Sequence, residues 1–83
     1  MTRIAKLYAR FLASPREHSF RDFEQLLNAF GFMHYRTVGS HRQYIHPKVP
    51  RSLPVQPSSK DAKSYQVRQF LAMVREYGLD MNE

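Results

Sequence analysis

Phe32-Met33-His34-Tyr35-Arg36-Thr37-Val38-Gly39-Ser40-His41-Arg42-Gln43-Tyr44-Ile45-His46 is the stretch that decides the fold. Two runs rich in strand formers, 32–38 and 41–46, flank a Gly-Ser pair. Aromatic and β-branched residues suit a pleated, half-buried surface, and two residues that include glycine suit a hairpin turn. The spacing predicts a hairpin with His41 at the start of its second strand. From Gly31 to Lys60 there are five basic residues (Arg36, Arg42, Lys48, Arg51, Lys60) and no acidic one. A titratable imidazole in an uncompensated positive field suits binding to a polyanion, and cutting one. A lone histidine is also an ordinary strand residue, and local features leave both readings open.

Outward from the hairpin, the apolar spacing marks helices on both sides. Phe20, Phe23, Leu26, Leu27 and Phe30 form one stripe at helical spacing, with Ser19 as N-cap, Asp22 in the first turn and Gly31 at the C-terminal cap. These phenylalanines are core residues. A second stripe, Val67, Phe70, Leu71, Val74 and Tyr77, predicts a last helix that begins near Ser64 and ends at Gly78. Ile4, Leu7, Tyr8, Phe11 and Leu12 predict a further helix at the N-terminus, capped by Thr2 and ended by Ser14-Pro15. Its other face carries Arg3, Lys6 and Arg10 and reads as solvated. A third strand is expected at 53–56, on an edge because Pro54 has no N–H to donate. The segments 47–52 and 57–61 read as loops by their prolines and serines. The order helix, helix, strand, strand, strand, helix predicts an α+β fold in two layers, a three-stranded antiparallel sheet with helices on one face. Without the first helix it is α-β-β-β-α, the order of double-stranded-RNA-binding domains.

Eighty-three residues make one small domain. A net charge of +6 favours an acidic partner, nucleic acid or protein. The absence of cysteine removes disulfides, thiolate metal sites and a cysteine nucleophile. No run approaches the ~18 apolar residues of a membrane span. Lys6 and Arg10 interrupt the apolar residues near the N-terminus, so no signal peptide is expected. A cytoplasmic protein without a membrane partner is the expectation.

Several short elements together resemble the HicA family of toxin ribonucleases. They are Phe23-Glu24-Gln25-Leu26-Leu27, Gly31-Phe32, Gly39-Ser40-His41-Arg42-Gln43-Tyr44-Ile45-His46-Pro47 and Tyr65-Gln66-Val67-Arg68-Gln69-Phe70-Leu71. The resemblance covers roughly residues 19–78 and leaves 1–14 as an additional helix. It implies a double-stranded-RNA-binding-like fold and a metal-independent endoribonuclease that cleaves mRNA. It also implies neutralisation by a cognate HicB-type antitoxin. The histidine of the family's Gly-Ser-His element, its catalytic residue, is His41 here. One departure matters. Many members carry a second histidine after the third strand, in a pattern like Val-Pro-x-His, where this chain has Val55-Gln56-Pro57-Ser58.

The chemistry that RNA cleavage requires can be matched to the residues. A base must take the 2′-hydroxyl proton, an acid must protonate the leaving 5′-oxygen, and cations must stabilise the phosphorane. Histidine suits proton transfer because its unperturbed pKa is ~6.5. His41 is the candidate for catalysis. The general acid stays unassigned among Tyr44, Lys63 and water, since Gln56 cannot transfer a proton. His46, an odd number of residues from His41, belongs on the other face of the strand and reads as a strand-end residue. His34 and His18 read as structural. Candidate RNA contacts are Ser40, Arg36, Arg42, Tyr44, Lys63, Ser64 and Arg68. Lys63, Ser64 and Arg68 stand at the start of the last helix, where free N–H groups favour an anion, although ordinary capping explains the same residues. The histidines lack the close spacing of a metal site, and no cofactor is expected. The rival function is a non-catalytic double-stranded-RNA-binding module, which reads shape over ~16 base pairs and has no need of His41. A DNA-binding helix-turn-helix is disfavoured, because no two adjacent helices are joined by its ~3–4-residue turn.

Overall fold

Ser19 starts the helix that organises the core. Its hydroxyl accepts from the Asp22 N–H at 3.0 Å, as the N-cap reading requires. A computed structural model of the protein describes residues 2–81. Its elements are α1 (Arg3–Ala13), α2 (Phe20–Ala29), β1 (Met33–Val38), β2 (His41–His46), β3 (Val49–Val55), β4 (Pro57–Ser58), β5 (Asp61–Ala62) and α3 (Ser64–Tyr77). The fold is α+β: a helix, three antiparallel strands and a closing helix in the double-stranded-RNA-binding-like arrangement, preceded by α1. At the end of α2, Gly31 takes φ +90°. Phe32 N–H reaches the Leu27 carbonyl and Gly31 N–H the Asn28 carbonyl, which satisfies the last turn and sends the chain into β1.

Phe70 of α3 stands at the centre of the core. Its ring meets those of Phe23, Phe30 and Phe32 edge-on, at centroid distances of 5.9, 5.4 and 5.9 Å. Leu26, Leu27, Leu53, Val55 and Val67 complete the layer and are fully buried. The stripe expected on the last helix is there, with Gln66 and Met73 buried beside it. Leu71 and Tyr77 lie at its margin. α1 contributes Leu7 and Phe11 to the same core cluster. Thr2 caps it as expected, accepting from Ala5 N–H.

The sheet has the order β1-β2-β3, so β2 is central and β3 is an edge. Gly39 and Ser40 form the turn between β1 and β2, closed by the pairing of Val38 with His41. Gly39 takes φ +62°, a region that side chains rarely adopt. Two segments expected to be loops are instead paired. The third strand begins at Val49, not at residue 53, and only Pro47 and Lys48 form the turn before it. An edge strand tolerates Pro50 and Pro54, and the ladder is irregular there: Pro50, Arg51 and Ser52 lie opposite Ile45 alone. Residues 57–62 are a two-residue hairpin, β4 with β5, turned at Ser59 and Lys60. It is held from outside: Phe20 N–H donates to the Lys60 carbonyl and Ala62 N–H to the His18 carbonyl, both at 2.9 Å.

Both helices of the minimal fold cover one face of the sheet. Arg42 and Tyr44 point to that side, toward Glu24 of α2. Alternation along β2 therefore turns His41, Gln43 and Ile45 to the opposite face. That face is open, and Met33, Val38 and Ile45 are 66%, 53% and 40% exposed on it.

Candidate nucleic-acid interface

His41 opens β2 directly after the turn, and its side chain is exposed. On one side its ladder partner is Val38. On the other, the ladder ends with Arg42 paired to Val55, the last residue of β3, and Gln56 follows it in the chain. Gln56 is also the link to the last helix. Its backbone N–H donates to Oε1 of Gln66, a buried side chain in the first turn of α3, at 3.0 Å. The end of the sheet that carries His41 is thus tied to the first turn of α3, which Lys63 and Ser64 open. Arg68 follows one turn along α3, exposed.

No side chain caps the start of α3, where Lys63 occupies the N-cap position. The groove before it is mixed in charge. Arg16 and Lys63 line it together with Glu17 and Asp61, in a depression of about 460 Å³. Any anion held there relies on Arg16 and Lys63, because Asp61 and Glu17 oppose it. Among the described residues the ion pairs are Arg10 with Asp22 and Arg42 with Glu24. Arg36, Lys48, Arg51, Lys60, Lys63 and Arg68 form no ion pair with any described residue, so the sheet keeps an unneutralised positive field.

Arg42 and Tyr44 are placed differently from the other candidates. Glu24 Oε2 accepts from Arg42 Nη1 at 2.6 Å and from the Tyr44 hydroxyl at 2.7 Å. The Arg42 guanidinium also lies 5.1 Å from the centre of the Phe20 ring. Both residues occupy the face of β2 opposite His41, and Tyr44 is only 3% exposed. The bond to Glu24 raises the Arg42 pKa. The Tyr44 phenol is pushed well above its ordinary value of 10.0 by burial first and by the bond to Glu24 next. The knot fastens β2 to α2 immediately behind His41. Nothing in the local sequence around Glu24 points to this role.

A pH prediction follows from the sign of that shift. A phenol raised in the folded state stabilises the fold fully below its unfolded value, near 10, and that contribution is lost as pH climbs through the raised value. In an alkaline absorbance titration, Tyr44→Phe is expected to remove a step that lies above pH 10 in the wild type. If the step that Tyr44→Phe removes lies at the ordinary value of 10.0 instead, the placement of Tyr44 is contradicted.

The other histidines hold structure. His46 Nε2 lies 2.9 Å from the Phe30 carbonyl, and its Nδ1 accepts from Lys48 N–H at 3.0 Å. The acceptor role of Nδ1 puts the proton on Nε2, which then donates to Phe30. His46 is therefore a clamp between the end of α2 and the β2–β3 turn, not merely a strand-end residue. His18 is buried, stacked on Phe11 at 3.8 Å and 2.6 Å from the Ser14 carbonyl. His34 stacks on Tyr44 at 5.5 Å and meets Thr37 Oγ1 at 3.0 Å. Among the described residues no three histidine, aspartate or glutamate side chains form a group that could hold a metal ion. No helix among them is long and apolar enough to cross a membrane.

The family model described as the HicA toxin of bacterial toxin–antitoxin systems matches residues 20–75, more than half of the chain. The chain belongs to the HicA toxin family. The match begins at the first residue of α2 and ends inside α3, so the HicA pattern spans the two-layer fold and leaves α1 outside it. Membership makes this a toxin-family protein for which an antitoxin is the expected partner. No curated protein and no solved structure is significantly similar to it.

Proposed function

We propose that this HicA-family chain is a cytoplasmic endoribonuclease toxin that cleaves mRNA without a metal ion, with His41 as general acid/base. The observation that carries the reading is the position of His41. It is an exposed imidazole at a hairpin mouth, on a sheet segment without a carboxylate, at the end of the sheet that Gln56 ties to the first turn of α3. An imidazole held there by a tight turn can take the 2′-hydroxyl proton. The oxygen so activated attacks the adjacent phosphorus, and the 5′-oxygen leaves with a proton. Unpaired cations, Lys63 and Arg68 first, stabilise the charge that develops on the phosphorane. Tyr44 does not suit the acid role, since Glu24 holds its hydroxyl on the other face of β2. Lys63 or a water supplies that proton. Ser40 and Ser64 are candidate hydrogen-bond partners for the same phosphates, and Arg36 reaches RNA on the open face.

The test is labelled RNA incubated in EDTA with the purified protein, beside the His41→Ala variant. Cleavage by the wild type alone supports the proposal. Equal rates for the two proteins overturn it. The rival reading, a non-catalytic double-stranded-RNA-binding module, has the fold itself in its favour. It predicts binding by both proteins and cleavage by neither.

Control follows from the same surface. A HicB-type antitoxin with an acidic docking face gains charge complementarity around His41 and blocks RNA at once. α1 is then part of the toxin's own core, as Leu7 and Phe11 suggest. Hydrogen exchange in the complex is expected to show protection at 39–44 and 63–68. Protection confined to 3–12 contradicts occlusion and favours an indirect mechanism.

A further inference from the structure

Tyr35 is a large aromatic residue for which neither the core nor the proposed chemistry has a use. It is 64% exposed in the middle of β1. The ladder pairs His34 with Tyr44 and Arg36 with Gln43, so Tyr35 is one extra residue, a β-bulge. A bulge re-aims the side chains at its site. Here Tyr35 comes alongside Arg36, whose guanidinium lies 5.7 Å from the ring centre. Met33 pairs with Ile45 at one end of the hairpin and Val38 with His41 at the other, with Arg36 and Gln43 between them, so the open face mixes apolar and basic groups.

Charge narrows the occupant. The segment 31–60 holds no carboxylate, and the chain carries +6. A second copy laid on this face would bring a chain of the same +6 charge against Arg36. An acidic protein and a nucleic acid both satisfy the field, and the Tyr35–Arg36 pair favours the nucleic acid. An exposed ring offers a base a stacking surface, and a cation beside it meets the backbone. The face also leads to the chemistry. Tyr35 is three residues from Val38, the partner of His41, or roughly 10 Å along the strand. Bases paired inside a duplex cannot reach such a ring, whereas unpaired bases can.

We propose that the open sheet face is a single-stranded RNA subsite in which Tyr35 stacks on an unpaired base and Arg36 contacts its backbone, positioning the strand beside His41. The subsite rests on the reading of His41 as the RNA-cleaving group and adds the form of RNA that reaches it. The test is fluorescence anisotropy with a short labelled single-stranded 2′-O-methyl RNA, which lacks the attacking hydroxyl and stays intact. Tyr35→Ala is expected to weaken binding by about tenfold, a typical loss for one stacked base. Tyr35→Phe keeps the ring and is expected to bind like the wild type. A blunt-ended RNA duplex is expected to show no difference among the three proteins. Tyr35 is exposed, so the variants keep the fold, which thermal melting checks. Equal affinity of Tyr35→Ala and wild type for the single strand overturns the subsite, and is the outcome expected if this face serves an acidic protein instead. The comparison reads binding alone, so it is independent of the cleavage assay that tests His41.

Discussion

His41→Ala is expected to lower RNA cleavage by about 10²–10⁴-fold, the usual contribution of a positioned acid or base. The same change is expected to leave the fold intact. The side chain is exposed, no described residue hydrogen-bonds its ring, and it adds nothing to the core. Surface substitutions of this kind stay within about 0.5 kcal/mol of neutral. The strand around it is fixed by other means: the turn at Gly39, the ladder to Val38 and the Glu24 knot behind it. Single-turnover cleavage and thermal melting, measured on one preparation, check both halves. Loss of activity with a matching loss of stability would mean that His41 is structural.

Phe70→Ala is expected to cost about 3–5 kcal/mol, the range for removing a buried phenylalanine ring. Phe70 has 0% exposure and meets three other rings, so little of the cavity can close. A domain of this size has roughly 4–12 kcal/mol in total, at about 0.05–0.15 kcal/mol per residue. One substitution therefore removes a large share of the stability. At about 4–8 °C for each kcal/mol, Tm should fall by more than ~10 °C. Circular dichroism melting is the measurement. A fall of only a few degrees contradicts the central place of Phe70.

The helices and the first hairpin were legible because each carries its own punctuation. Ser19 and Gly31 bracket α2, Gly78 ends α3, and Gly39-Ser40 turns the chain where two strand runs meet. Helical spacing also named most of the core. What stayed hidden was set by distant partners. Pro47, Pro50 and Pro54 made β3 read as mostly loop, since only its edge position excuses them. The β4–β5 hairpin is stabilised by His18 and Phe20, some forty residues earlier in the chain, and no local signal announces it.

The site divides in the same way. The turn marked His41, and alternation put His46 on the other side of β2. Alternation could not tell which side the helices would cover. That choice sends Arg42 and Tyr44 inward to Glu24, leaving Arg36, Lys63 and Arg68 as the outward cations. The bulge at Tyr35 has no signature in the sequence either, because an extra residue is defined only against its partner strand. The uncapped start of α3 was foreseen as basic, yet Glu17 and Asp61 in the groove beside it came to light only from the chain path.

The central claim is that this HicA-family chain cuts RNA through its own side chains, with His41 moving the proton of the 2′-hydroxyl. The most direct test is the chemical identity of the RNA ends that the purified wild type produces in EDTA. Attack by the neighbouring 2′-oxygen predicts a 2′,3′-cyclic phosphate on one fragment and a free 5′-hydroxyl on the other, with neither formed by His41→Ala. Fragments that carry a 5′-phosphate and form only when a divalent metal is added would contradict it.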